Sequence, residues 1–200
     1  DSMRNYKEKI SYYCVQNEQV GAMAAEAYTR TTGRMGVQMV TSGPGASNMI
    51  TGIAGAWYDC IPAVYLSGQV RTWELTNTDQ VISNDRTDTE LKKRLLQRGF
   101  QEIDIVPIVR SITKYAVTLV EPNDARYHLE KAIWLSQNGR PGPSWIDIPL
   151  DVQAAEIDPA AQISFSAQEE GLNINFDEHW LGQQVQGVLN SLSKSRRPII

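Results

Sequence analysis

The chain has 200 residues, 42% of them hydrophobic, and 19 basic against 23 acidic residues give it a formal net charge of −4. This length accommodates one complete domain and part of a second, and the composition is that of an ordinary globular protein. A nucleic-acid binder needs a basic face and a membrane helix needs about 18 consecutive apolar residues, so neither partner is expected. Because no charged leader precedes an apolar segment, we expect a cytoplasmic protein.

Two cysteines and two histidines limit the chemistry that the chain can carry. Cys14 and Cys60 lie among apolar residues without CxxC or Cys/His spacing, which predicts buried thiols in a reducing compartment rather than a disulfide or a zinc site. With only His128 and His179 present, we expect neither a histidine-centred catalytic triad nor a multi-histidine metal site.

The first predicted elements are a strand and a helix. Residues 10–15 are β-branched and aromatic, which is typical of a strand. Asn17 can cap the helix that follows, and Gly33 can end it. Apolar residues recur in this helix at intervals of three and four, as on the apolar face of an amphipathic helix: Val20, Met23, Ala24 and Ala27.

Two further strands flank a second helix. Residues 36–40 are typical of a buried strand, and residues 63–68 are typical of another. Between them, a turn at residues 42–45 leads into a helix rich in small residues that ends near Asp59. Three strands joined by two helices within about 60 residues predict a parallel α/β sheet with right-handed crossovers.

The pattern then changes. Residues 71–98 form a polar excursion, whose latter part, residues 88–97, favours a short charged helix. After it, a strand is predicted at residues 114–120, a helix at residues 124–137 and a further strand from Ser144.

We therefore expect three regions. Residues 1–155 form a sheet domain, residues 156–176 form a linker, and residues 177–200 begin a second α/β domain. The linker is polar and shows no period, whereas apolar residues at helical spacing resume after it and predict a helix at residues 180–192.

Ligands of open α/β sheets bind beyond the carboxyl ends of the strands. The turn at residues 42–45, SGPG, fits either a structural strand-to-helix turn or a ligand-binding loop. Asn48 occupies the place of the third glycine of the dinucleotide fingerprint, which disfavours a nicotinamide cofactor. Glu18 lies in a first helical turn, where the helix dipole favours an anion. It is either a surface carboxylate or, in an apolar pocket that raises its pKa, a group that shares a proton with a ligand nitrogen.

Several ordered motifs carry a family resemblance. Residues 17–70, from NEQVGAMAAEAYTR to YLSGQV, closely resemble the pyrimidine-binding domain of thiamine diphosphate enzymes, in particular the acetolactate synthase-like branch. The resemblance continues through FQEIDIVPIVRSITKY and GRPGPSWIDIPLDVQ and covers about residues 10–155. It implies an α/β fold in which helices flank a parallel sheet.

The resemblance implies cofactor contacts for five residues. In this family, the glutamate that matches Glu18 hydrogen-bonds the ring nitrogen of the aminopyrimidine and promotes the imino tautomer that activates the thiazolium carbon. Pro44 and Asn48 would line the pyrimidine pocket. Phe100 and Gln101 would face the reacting thiazolium, with simple packing as the alternative for this pair. Glu18 and Gln101 are thus the expected catalytic residues.

The resemblance also implies FAD and Mg²⁺. Arg140 matches an arginine that contacts FAD in flavin-containing acetolactate synthases, although an arginine in a Pro/Gly turn equally fits a solvated structural role. The family holds Mg²⁺ and the diphosphate through a GDG-to-Asn segment, which the sequence does not contain. We therefore expect the Mg²⁺ ligands and an opening strand outside this chain, and no activity for the chain by itself.

Three departures from the family pattern bear on the substrate. Asn17 stands where family members usually carry histidine, and Leu150 stands where acetolactate synthases carry lysine. The excursion at residues 71–98 is longer than the corresponding loop of those enzymes. Together with the RYHLEKA motif, these departures favour relatives in surface-sugar pathways.

The function implied is decarboxylation of a 2-keto acid, pyruvate above all, followed by carboligation to a carbonyl acceptor. A second pyruvate as acceptor gives acetolactate, and a nucleotide-linked keto-sugar gives a two-carbon branched sugar. A non-catalytic regulatory module of the same fold is the alternative from another class. The family shares its site between subunits, so we expect a homodimer or tetramer whose interface includes Glu18, Pro44, Gln101 and the small-residue helix at residues 47–56. For that helix, packing within the chain is the alternative.

Overall fold

The computed structural model describes residue 6 and residues 8–76, 97–172 and 177–198. They belong to two compact units, Asp1–Ser166 and Ala167–Ile200. In the described ranges, the first unit contains the sheet, and the second contains one long helix. The boundary between the units falls inside the predicted linker, whose own limits remain predictions.

The first helix that the structure describes, α1, spans Glu18–Thr32. Its N-terminus is capped by Asn17, whose side-chain oxygen accepts hydrogen bonds from the backbone N–H groups of Gln19 at 2.9 Å and Val20 at 3.4 Å. Gly33 ends the helix in the left-handed conformation, with φ of 68°. Both predicted caps are confirmed, because each depends only on local sequence.

Four parallel strands form the sheet in the described part of the first unit. In chain order they are β1, Gly36–Val40; β2, Ala63–Gln69; β3, Tyr115–Thr118; and β4, Pro143–Pro149. Their order across the sheet is β1-β2-β4-β3. Gly36 pairs with Ala63, and Ser67 pairs with Asp147. Parallel neighbours require crossover connections, so this sheet confirms the predicted α/β class.

Shorter helices join and flank the strands. α2, Pro44–Asn48, and α3, Ile50–Tyr58, divide the single helix that was expected to end near Asp59. The other helices that the structure describes in this unit are α4, Ile105–Val109; α5, Ala125–Gln137; and α6, Leu150–Ala154. Within the same described ranges, 3₁₀ turns lie at Thr72–Glu74, Arg110–Ile112 and Pro122–Asp124.

The second unit contains α7, Glu178–Lys194, which confirms the helix predicted at residues 180–192. Asp177 caps it by accepting a hydrogen bond from the Trp180 N–H at 3.0 Å. Among the helices that the structure describes, none combines the length and the apolar character needed to cross a bilayer.

Buried side chains form two clusters, which use neighbouring positions of β4. Trp145 packs in the first cluster with Tyr65 and Ile53, and its ring lies 6.5 Å from that of Tyr65. Ile146 packs in the second with Ala132 of α5. Successive strand residues point to opposite faces, so helices cover both faces of the sheet. Burying one such side chain contributes roughly 2 kcal/mol.

The strand predicted at residues 10–15 is wrong. These residues are exposed and lie outside the sheet. A strand forms where a neighbour satisfies its backbone hydrogen bonds, and β-branched composition alone does not supply that neighbour.

The face of α1 that packs against the protein differs from its apolar stripe. Val20, Met23, Ala24 and Ala27 are exposed, whereas the buried residues are Gly21, Ala22, Ala25 and Thr29. Small residues allow close approach to α3, since a Cβ on Gly52 would lie 2.5 Å from the Ala22 Cβ. This packing within the chain uses one face of the small-residue helix.

Two burial predictions need correction. Residues 36–40 were expected to form a buried strand, but β1 is at the sheet edge, and Val37 and Met39 are exposed. The cysteines were expected to be buried, but Cys14 is exposed and Cys60 is partly exposed; both are free thiols. Cys14 lies in the segment outside the sheet, and Cys60 lies in the turn before β2, where neither is covered.

The helix predicted at residues 88–97 falls almost wholly outside the described residues.

Candidate functional site

The carboxyl edge of the sheet and the beginning of α1 lie together. Near the other end of α1, the Thr29 hydroxyl accepts a hydrogen bond from the Gly36 N–H at 2.8 Å and donates one to the Pro62 carbonyl at 3.0 Å. Gly36 is the first residue of β1, and Pro62 directly precedes β2. The helix is therefore antiparallel to the strands. Its first residue, Glu18, is accordingly placed at the edge where the strands end.

Glu18 and Asn48 are in direct contact. The Asn48 amide Nδ2 donates a hydrogen bond to Glu18 Oε2 at 3.1 Å, across 30 residues of sequence. This bond, together with the Glu18 backbone N–H, lowers the pKa of the carboxyl, and partial burial opposes the shift only weakly. The apolar pocket that would raise this pKa is thus not formed by the described residues alone.

The glycine turn before α2 is shaped by close contacts. Gly43 adopts φ of 58°, and a Cβ there would overlap the carbonyl oxygen of Gln101. A Cβ at Gly45 would lie 2.8 Å from Thr41 Cγ2 and 3.7 Å from Glu18 Oε1. Pro44, the first residue of α2, is exposed beside them. Glycine is therefore needed at residue 43 both for backbone conformation and for space.

Residues 97–104 complete this edge. Gln101 also has a positive φ, 58°, and its backbone lies against Gly43. Gly99 packs so closely on Val70, after β2, that a Cβ would lie 2.8 Å from both methyl groups. Phe100 is 85% exposed. The structure thus brings Gln101 to the turn that leads to Asn48 and Glu18.

Arg140 lies elsewhere. It precedes β4, at the amino edge of the sheet, and its Nε donates to the Cys60 Sγ at 2.9 Å. The other five site residues are at the carboxyl edge. The structure does not bring Arg140 to them, and its contact with FAD remains a prediction.

Comparison with known proteins identifies the family. Residues 1–108, more than half of the chain, match the thiamine pyrophosphate enzymes, in the part described as the N-terminal TPP binding domain. The chain belongs to this family. Thiamine pyrophosphate, or TPP, is the same cofactor as thiamine diphosphate, so the predicted family is confirmed.

Similarity to whole relatives extends over nearly the entire chain. The chain is 34% identical over 193 residues to "Acetolactate synthase isozyme 3 large subunit" of Escherichia coli strain K12. It is 33% identical over 204 aligned residues to the acetolactate synthase large subunit of Lactococcus lactis, and 33% identical over 191 residues to "Acetolactate synthase 2, chloroplastic" of Zea mays. These alignments cover 96%, 100% and 96% of the chain but only 29%, 30% and 26% of the relatives. The chain thus spans less than a third of their length.

Sequence reasoning missed a buried carboxylate in the sheet. Asp147 of β4 accepts hydrogen bonds from Ser67 Oγ at 2.5 Å and Gln69 Nε2 at 2.9 Å. Trp145 Nε1 donates to the same Ser67 oxygen at 2.9 Å. Burial raises the pKa of Asp147 to about 7, although the two hydrogen bonds oppose the shift. The available signal was an acidic residue inside an otherwise apolar strand, WIDIP.

Two further polar residues of the edge were also missed. Buried Gln38 donates through Nε2 to the Glu18 backbone carbonyl at 2.8 Å and so holds the start of α1, while its buried Oε1 has no partner among the described residues. Asp151 accepts hydrogen bonds from the Thr72 N–H at 3.0 Å and hydroxyl at 2.5 Å. A polar residue within a predicted buried strand was the signal for Gln38; Asp151 gave none.

Metal ligands are not grouped in the part of the chain that the structure describes: no three His, Cys, Asp or Glu side chains there could hold one ion. The expected Mg²⁺ site therefore remains a prediction for residues elsewhere.

Proposed function

We propose that the complete protein is a TPP-dependent carboligase that decarboxylates a 2-keto acid, pyruvate above all, and joins the two-carbon unit to a carbonyl acceptor. The observation that carries this proposal is the Glu18 carboxylate held by Asn48 beside the glycine turn, in a domain of the TPP-binding family. Relatives named acetolactate synthase support this reaction class.

The residues present fit the aminopyrimidine end of the cofactor. Glu18 supplies a carboxylate that can hydrogen-bond a ring nitrogen, and Asn48 supplies an amide that fixes the orientation of this carboxylate. Gly45 keeps the space beside Glu18 Oε1 free of a side chain. A diphosphate needs a divalent cation, and carboxylates grouped for one are not found among the described residues. The diphosphate end would therefore be held by other residues.

When bound, TPP supplies a carbon nucleophile for attack on the keto group of the substrate. Glu18 would hold the proton at the pyrimidine nitrogen, and Gln101 would orient the reacting carbonyl from the neighbouring loop. An uncovered Glu18 has a lowered pKa, which does not suit proton sharing near neutral pH. Covering the site by another surface would remove water and raise this pKa.

We propose that a second copy of the protein provides that cover, in a homodimer or tetramer. Val20 and Met23 on the outer face of α1 are 57% and 43% exposed, and Phe100 is nearly fully exposed beside the glycine turn. Exposed apolar side chains that group around one site are typical of an interaction surface.

Replacing Met23 with Glu should convert the complete protein to a monomer, because a charge would be buried in an interface of at least ~1,200 Å². Light scattering with TPP and Mg²⁺ at micromolar concentration measures this. Ile163→Glu, at an exposed apolar residue outside this face, is the matched control and should leave the assembly unchanged. A monomeric wild-type protein under these conditions would rule out the shared site.

The chain by itself should bind TPP too weakly to measure, because residues that hold the diphosphate and the metal supply most of the affinity. Isothermal calorimetry on the 200 residues with TPP and Mg²⁺ tests this. Micromolar affinity would contradict it.

The acceptor distinguishes two versions of the proposal. Leu150 is 51% exposed at the start of α6, where the acetolactate synthases that the sequence resembles carry lysine. An apolar side chain there favours an acceptor other than a second pyruvate, such as a nucleotide-linked keto-sugar. Turnover of pyruvate alone, compared with pyruvate plus keto-sugar nucleotides, separates the two. No turnover with either would favour the non-catalytic module.

We propose, further, that the protein acts in the cytoplasm and that Arg140 contacts FAD. The free thiols of Cys14 and Cys60 are compatible with a reducing compartment. Flavin absorbance in the purified complete protein, and its loss in Arg140→Ala, tests the FAD contact.

A further inference from the structure

Glu102, next to Gln101, has a carboxylate that accepts hydrogen bonds from four donors in the described part of the chain. Oε1 accepts from the Thr76 N–H, and Oε2 accepts from the Thr76 hydroxyl. Oε2 also accepts from the backbone N–H groups of Arg98 at 2.9 Å and Gly99 at 3.1 Å. One side chain therefore ties the turn that carries Gln101 to the residues that follow β2.

The turn so held has an unfavourable backbone. The Glu102 N–H donates to the Gly99 carbonyl at 3.2 Å, which closes the turn around Gln101. Gln101 adopts a positive φ, which residues other than glycine rarely adopt. Such a conformation persists only where the surroundings over-determine it, and the Glu102 carboxylate together with the Gly43 contact provides these constraints.

A neutral side chain of the same shape would not substitute. A glutamine has one acceptor oxygen and one NH₂ group, which is itself a donor. Placed at residue 102, that NH₂ would face either the Thr76 N–H or the Arg98 and Gly99 N–H groups. The site is built for two acceptor oxygens, because backbone N–H groups approach both.

We propose that Glu102 is a positioning residue, which holds the Gln101 backbone in the left-handed conformation against Gly43 and so sets where the Gln101 side chain meets the substrate. This inference rests on the proposed function. It adds to it a residue that does not itself touch the cofactor.

A double-mutant cycle in the complete protein tests the inference. Glu102→Gln should lower kcat at least about tenfold, because small displacements of a catalytic group are costly, with KM for the keto acid changed less than twofold. In a Gln101→Ala background, Glu102→Gln should have no further effect. If the two effects multiply, or if Glu102→Gln alone keeps wild-type kcat, the inference is overturned.

Two companion variants separate positioning from general destabilisation. Thr76→Ala removes one donor to Glu102 and should lower kcat in the same direction by a smaller factor. Thr72→Ala removes a hydroxyl bonded to Asp151 instead, and should leave kcat unchanged. Thr76→Ala also keeps the inference testable if Glu102→Gln does not fold; an unchanged kcat in that variant overturns it.

Amide hydrogen exchange provides a readout that does not depend on turnover. Glu102→Gln should accelerate exchange at Arg98 and Gly99 by about tenfold or more while leaving the amides of β4 unchanged. A wild-type protein without TPP-dependent turnover contradicts the proposed function, and exchange then decides alone whether Glu102 holds the turn. Unchanged exchange at both amides overturns the inference whatever the turnover.

Discussion

Replacing Glu18 with Gln should lower the turnover of the complete protein by about 100-fold or more and leave its folding intact. The amide keeps the shape of the carboxylate, and its oxygen can still accept the hydrogen bond from Asn48. It cannot exchange the proton that cofactor activation requires. Because the Glu18 side chain is only partly buried, its contribution to stability is small, so the melting temperature should change little.

Initial rates with pyruvate, over a range of acceptors, measure this effect. Glu178→Gln is the matched control, since Glu178 is also an acidic residue in the first turn of a helix, α7, and is exposed. It should retain wild-type turnover. Turnover of Glu18→Gln within a few-fold of wild type would refute the role assigned to Glu18.

The parts of the fold that depend on local sequence could be predicted. Asn17 and Gly33 mark the ends of α1 because capping and left-handed conformation are properties of single residues. β2 and β4 were found because a strand buried on both faces of a parallel sheet is apolar nearly throughout. The rule that sites lie beyond the carboxyl ends of strands fits the turn at residues 42–45, which follows β1. Asn48 and Gln101 were assigned to the site through the family resemblance, and the strand expected before Glu18 is not formed.

The parts that failed depend on tertiary neighbours. Residues 10–15 have strand composition but no partner strand among the described residues. In α1, the larger apolar residues are exposed and small ones are buried, because close approach of α3 selects for size rather than hydrophobicity. A periodic pattern identifies an apolar face of a helix, but it does not show which face packs against the rest of the protein.

The polar network beneath the site was missed for a related reason. Glu102 bonds to Thr76, 26 residues away, and Asp147 bonds to Ser67, 80 residues away. Sequence spacing shows neither pairing. Strand register places Ser67 opposite Asp147, whereas Thr76 and Glu102 meet outside the strands. The FAD contact of Arg140 was inferred from resemblance alone, and the fold places that residue at the opposite edge from Glu18.

The buried carboxylate of Asp147 makes stability depend on pH near neutrality. Burial raises its pKa from an ordinary 3.8 to about 7, and hydrogen bonds from Ser67 and Gln69 only partly offset this. The native protein therefore binds this proton more tightly than the unfolded chain does. The resulting stabilisation is complete below pH 3.8 and is lost as the pH rises through about 7. At roughly 1.4 kcal/mol per pKa unit, the upper limit is about 4 kcal/mol.

Asp147→Asn removes this titration. The melting temperature of the wild type should therefore fall relative to that of the variant as the pH rises from 5 to 8. About two pKa units of this titration fall between pH 5 and pH 8, which amounts to roughly 2.7 kcal/mol, or roughly 5–10 °C for a chain of this size. Taking the difference removes the effect of other groups, including His128, whose pKa is lowered by burial and whose titration acts in the opposite direction.

Asp151→Asn is the control. Burial alone would raise the pKa of Asp151, but hydrogen bonds from Thr72 and from the backbone N–H groups of Asp151 and Val152 together outweigh burial and lower this pKa. Asp151 therefore titrates at acid pH, and the difference between Asp151→Asn and wild type should stay constant over this range. If the melting temperatures of wild type and Asp147→Asn instead change in parallel from pH 5 to pH 8, Asp147 is ionised throughout this range and its hydrogen bonds outweigh its burial.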